Sequence, residues 1–183
     1  MRLDAKILLE AQLSRSLGLD SYEEIMTVAP VTDVSLSQEF QRKFNAYYRV
    51  RRNVEWRKSF YSLFERAKKE HYSFVDVIGL LFVETGNVEA SFSSKMIATI
   101  DDSKPIWDQY VMQNLRLELK GKTPRERVIN AAEIYHRIED WYMEYLLTEE
   151  AKENIAVFDQ MLPDYTWVSD VKKIDCLLWG KRD

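Results

Sequence analysis

The residue pair in this chain best placed to do chemistry is an amine and a carboxylate, Lys95 and Asp108, thirteen residues apart within A-S-F-S-S-K-M-I-A-T-I-D-D-S-K-P-I-W-D-Q-Y-V, from Ala90 to Val111. A desolvated lysine amine can act as a nucleophile, and a carboxylate near it can stabilise developing positive charge. The helical period puts Phe92, Met96, Ile97 and Ile100 on the buried face of a first helix. Asp101, Asp102 and Ser103 read as a turn. Pro105 is expected in the first turn of a second helix, where its missing amide costs nothing. Trp107, Tyr110, Val111 and Leu115 of that helix then face inward. Lys95 and Asp108 are left facing each other across the turn. The pair is either open to a cleft, as a catalytic site, or closed as a salt bridge in which Asp108 serves as a helix N-terminal charge.

The second group is basic. Between Arg42 and Lys69 the chain carries ten Lys or Arg and only Glu55 and Glu65, leaving sixteen basic and twenty-eight acidic residues elsewhere. Such asymmetry suggests a side that faces a polyanion. Arg49, Arg51, Arg52, Arg57 and Lys58 are the candidate phosphate contacts, and Tyr47, Tyr48, Trp56 and Tyr61 are interleaved with them. Arginines contact phosphates and exposed aromatics stack on unpaired bases, so DNA or RNA is the expected partner. The alternative is a solvated helix face that pairs with acidic helices, its aromatics serving as core.

Other chemistries are poorly served. His71 and His136 are the two histidines and Cys176 the one thiol, with no H-x-x-x-H, C-x-x-C or E-x-x-H spacing, so no metal site is expected. There is no G-x-S-x-G elbow and no glycine-rich phosphate loop, and no cofactor is expected. Cys176 reads as a small core residue.

These groups need a scaffold, and the composition supplies one. Twenty-three aromatics among 183 residues provide core material, and five glycines and four prolines suit long regular elements. A lone cysteine fits a reducing compartment, and the charged N-terminus lacks a signal-peptide core, so a cytoplasmic location without membrane insertion is expected. Helical patterns run through the chain: 3–17, closed by Gly18; a short helix opened by a Ser21–Glu24 capping box; then 35–48 and 54–70. Ser73 opens a helix that is apolar nearly all round, from Phe74 to Val83, and Gly86 stops it. Later come a helix behind the Thr123-Pro-Arg-Glu126 cap, one from Thr148 and one from about Thr166, with Trp167 inward. The expectation is an all-α fold of nine or ten helices around the buried apolar helix. It forms one domain over 1–183, with 1–34 as a candidate helical appendage.

The stretch S-K-M-I-A-T-I-D-D-S-K-P-I-W-D-Q-Y-V, with the late I-D-C-L-L-W-G, resembles a group of bacterial all-helical proteins. Those share an S-K-x-L … P-I-W-D-x-x-V core and a D-x-x-L-W ending. More distantly, it resembles the helix-hairpin-helix DNA glycosylases, in which a glycine-rich hairpin and a helix precede V-D-T-H-V. Here Thr85-Gly-Asn-Val88, the Lys95 helix and Ile106-Trp-Asp-Gln-Tyr-Val111 follow in that order. The resemblance implies Asp108 in the place of the catalytic aspartate and Lys95 near that of the catalytic lysine. The hairpin's L-P-G-V-G is reduced to Gly86, and the four cysteines of the iron–sulfur members are absent. The other class of function is a non-enzymatic helical interaction protein that binds a protein partner or itself as a homo-oligomer.

Overall fold

The structure is a computed structural model that describes residues 2–13 and 17–181. Over those residues the chain forms ten α-helices and no strand: α1 Ala5–Leu13, α2 Leu19–Val28, α3 Gln38–Tyr47, α4 Val54–Glu70, α5 Phe74–Thr85, α6 Ala90–Ile100, α7 Gln109–Asn114, α8 Pro124–Leu146, α9 Glu149–Met161 and α10 Asp170–Gly180. The all-α expectation holds. The predicted run of the first helix to Leu17 crosses residues 14–16, outside the described residues. None of the described helices is long and apolar enough to cross a membrane.

Side-chain caps set most helix starts. Ser73 with Asp76 and Thr123 with Glu126 form full capping boxes, and Asn53 and Thr148 each accept an amide of the first turn. The Ser21 box does not form. Gly18, at φ 68°, turns the chain three residues earlier, and α2 begins at Leu19. A Cβ at Gly18 would stand 3.1 Å from the Tyr47 ring, so glycine serves both the left-handed turn and the close approach.

Three further expectations are corrected. Pro105 is not helical: the Trp107 amide donates to Ser94 Oγ (2.7 Å) and the Tyr135 hydroxyl donates to the Pro105 carbonyl (2.9 Å), holding 105–107 outside any helix. The helix starts after Asp108, whose extended backbone makes it the N-cap of α7. Trp167 precedes α10, which Ser169 caps, and it is 44% exposed with its ring stacked on Tyr22. Finally, α5 is not buried all round. Phe74, Val77, Ile78 and Leu81 pack inward, while Val75 and Val83 face solvent.

The buried centre passes instead to α6, where Ala90, Ser93, Ser94, Met96, Ile97, Ala98 and Thr99 are all buried. It lies against α4 and α5, and α5 in turn packs on α8, where Phe74 and Tyr135 stack at 3.9 Å. Phe40, Phe44, Phe60 and Phe64 interlock α3 with α4 through tilted and edge-on rings. The N-terminal segment is tied to the far end of the chain. α1 packs on α9 and α10, and the Ala5 amide donates to Asn154 Oδ1 at 2.8 Å. This closure brings α10 alongside α7 and completes the surroundings of Lys95.

Candidate functional site

Lys95 and Asp108 line one cavity of about 620 Å³, bounded by the C-terminal end of α3, the middle of α6, the start of α7 and the inner face of α10. That volume suits a small ligand or a single nucleotide. Lys95 Nζ donates to Ser91 Oγ, one helical turn back, at 2.7 Å, and lies 5.8 Å from the Tyr48 ring centre and 5.4 Å from that of Phe92. Among the described residues no carboxylate forms an ion pair with it. Burial holds its pKa below the usual lysine value, and the neighbouring Asp108 and Asp175 charges offset that only in part.

Asp108 is half-buried. Its Oδ1 accepts the Tyr110 amide at 2.8 Å, so the carboxylate caps α7 while bordering the cavity. The structure therefore brings the two residues to one wall without closing one on the other.

A second amine faces the same space. Lys172 Nζ is 2.9 Å from Asp175 Oδ2, with the two side chains only 11% and 4% exposed. The Tyr142 hydroxyl donates to Asp175 Oδ1 at 3.2 Å, and Lys172 lies 5.1 Å from the Tyr22 ring centre. Burial opposes charge on Lys172, but the Asp175 carboxylate and the phenols of Tyr47 and Tyr48 outweigh it, and its pKa stands well above the usual range. Sequence reasoning missed this pair. Its signal was two charges at i and i+3 on the last helix, Asp175 falling within the buried run Lys173–Leu178.

The five basic candidates divide. Arg49 lines the cavity, in a left-handed backbone conformation (φ 53°) just past α3. Arg52 is turned to Glu89, 2.8 Å from its carboxylate, and lies over the rings of Trp56 and Phe92. Arg51 and Lys58 are exposed and Arg57 is half-buried, none of them at the cavity. Trp56 and Tyr61 are core residues, 6% and 1% exposed, and their polar atoms bond to Glu89 and Asn45. They offer no face for a base. Much of the remaining run is paired internally: Lys43 with Glu24 and Glu39, Arg66 with Glu84, Lys68 and Lys69 with Glu65.

Comparison with family models, with curated proteins and with solved structures finds no match. The reading of the site thus rests on its own geometry. Gly86, at φ 71°, closes α5, residues 86–89 lead into α6, which bears Lys95, and Asp108 opens the next helix. Among the described residues no group of three His, Cys, Asp or Glu side chains could hold a metal ion.

Proposed function

We propose that this protein binds nucleic acid and admits one unstacked nucleotide into the Lys95–Asp108 cavity, where the pair acts in glycosylase fashion on the sugar–base bond. The observation that carries the reading is that an amine and a carboxylate share one nucleotide-sized cavity without an ion pair between them. Depression of the Lys95 pKa by burial favours the neutral, nucleophilic amine. In the step proposed, Lys95 Nζ attacks C1′ of the sugar as the C1′–N bond to the base breaks. The base leaves with the bonding electrons and takes up the proton that the amine loses. Asp108 faces the positive charge that builds on the sugar. Arg49, beside the cavity, is placed for the flanking phosphate.

The alternative is a non-enzymatic helical interaction protein, and one observation favours it: five lysines and arginines of the basic run are already paired with this chain's own glutamates. The test is an abasic single-stranded oligonucleotide incubated with the protein and borohydride, which reduces an imine between amine and sugar to a stable bond. Wild type and Asp108→Asn should give a covalent complex and Lys95→Met should not. Base release from unmodified strands should be lost in both variants. Equal trapping by Lys95→Met, or no salt-dependent strand binding at all, overturns the proposal.

A further inference from the structure

A second cavity, of about 570 Å³, lies at the opposite end of α7 and is bordered by Arg2, Arg116, Arg137 and Lys181, together with Gln113 and Asn114. Among the described residues no acidic one borders it, although the chain as a whole has thirty acidic and twenty-six basic residues. Among the described residues none of the four cations is in an ion pair. This contrasts with the Arg42–Lys69 run, where half of the basic residues are neutralised. Four segments far apart in sequence converge here, so like charges have been gathered at an electrostatic cost that an anion would relieve.

The basin is also built rather than incidental. Asn114 Nδ2 donates to the Leu178 and Lys181 carbonyls, each at 3.1 Å, which locks the end of α7 to the end of α10. Arg116 holds a left-handed backbone (φ 54°), a conformation that residues other than glycine rarely adopt. Arg49, at the first cavity, holds a similar φ of 53°. In both places an arginine stands where glycine would fit the backbone better, and both residues border a cavity.

We infer that this basin is a phosphate-binding site that grips the backbone of a strand whose neighbouring nucleotide reaches the Lys95–Asp108 cavity. The strand assignment rests on the function proposed above. It is favoured over a free small anion by the nearness of the two cavities: α7 rises about 1.5 Å per residue, so Tyr110 at one and Asn114 at the other stand about 6 Å apart along the axis. Guanidinium groups suit phosphate oxygens, which they meet in bidentate fashion.

The experiment measures anisotropy of a labelled single-stranded oligonucleotide against salt, for wild type, the double variant Arg116→Gln/Arg137→Gln, its charge-keeping counterpart Arg116→Lys/Arg137→Lys, and Lys95→Met. Calorimetry with inorganic pyrophosphate alone runs beside it. The slope of log affinity against log salt should shrink by about 1.4 in the Gln variant, two contacts at about 0.7 each on a single strand. It should be largely kept by the Lys variant, and Lys95→Met, which leaves the basin intact, should lose less of it than the Gln variant. A Gln variant with the wild-type slope, folded by circular dichroism, overturns the basin while leaving the cavity proposal standing. Absence of strand binding in wild type, with pyrophosphate binding that the Gln variant loses, overturns the strand assignment together with the proposed function. It keeps the basin as a small-anion site. Absence of both overturns everything proposed for it.

Discussion

Two lysines face the same cavity, and the structure expects opposite results on replacing each with methionine. Lys172→Met removes the partner of Asp175, a carboxylate 4% exposed whose other hydrogen bond is the 3.2 Å contact from Tyr142. A buried charge left in this way costs about 3–5 kcal/mol. Lys95→Met strands nothing. It gives up one hydrogen bond to Ser91, at 2.7 Å, a loss of about 1 kcal/mol, and relieves the burial of an amine that lacks a counter-ion. Urea unfolding at pH 7 should place Lys95→Met within about 1 kcal/mol of wild type. Lys172→Met should fall at least about 3 kcal/mol lower, which for a chain of this length lowers Tm by on the order of 10 °C. The pH dependence separates them again. The Lys95 pKa is depressed in the folded state, so below the usual 10.5 the unfolded chain binds more protons and the Lys95 contribution to stability rises with pH through that interval. The Lys172 pKa is raised. Its contribution is complete below 10.5 and is lost as pH climbs through the elevated value, so it is flat from pH 7 to about 9.5. The gap between wild type and Lys95→Met should therefore move in favour of wild type on going from pH 7 to about 9.5, with no such drift for Lys172→Met. A cost of about 3 kcal/mol or more for Lys95→Met would show that a carboxylate holds the amine, and the open arrangement would be wrong.

Two further outcomes follow from contacts around the site. Ser94→Ala leaves the buried Trp107 amide without its acceptor and should cost about 1–3 kcal/mol in chemical unfolding, with Ser94→Thr recovering part of it; a neutral Ser94→Ala would mean that the connector is held otherwise. Cys176 is 5% exposed and burial pushes its thiol up to about 11, so iodoacetamide at pH 8 should label it in urea and leave the native protein unmodified over hours, as followed by mass spectrometry.

What could be read from the sequence was local. Capping residues such as Ser73, Thr123 and Thr148 act within one turn, so their helices begin where the residue types place them. Lys95 and Asp108 meet at one cavity because only a short connector separates their helices. What failed depended on distant partners. Pro105 has the signature of a first helical turn, but Tyr135, thirty residues on, takes its carbonyl and Ser94 takes the next amide but one. The basic run looked like one patch because its charges were counted without Glu24, Glu84 and Glu89, which arrive from other elements. The basin of Arg2, Arg116, Arg137 and Lys181 was invisible for the same reason in reverse: no two of those residues are near one another in sequence. The Lys172–Asp175 pair lay hidden in a helix read for its apolar face alone.

Why the cavity stays open is decided at the connector rather than by the pair itself. Asp108 Oδ1 is committed to the Tyr110 amide, and swinging it to Lys95 would uncap a helix of six residues, a loss of about 1 kcal/mol. An ion pair to this buried amine must also desolvate the half-buried Asp108 carboxylate, which offsets most of the Coulombic gain, so closure gains nothing. The backbone gives no help either. Ser94 Oγ holds the Trp107 amide at 2.7 Å, Tyr135 holds the Pro105 carbonyl at 2.9 Å, and Lys104 reaches Glu139 at 3.0 Å. Three contacts from two helices thus fix the residues immediately before Asp108. Moving the carboxylate toward the amine means breaking the buried ones first, at about 1–3 kcal/mol each. The separation of Lys95 from Asp108 is accordingly set by Ser94 and Tyr135, which touch neither the amine nor the carboxylate.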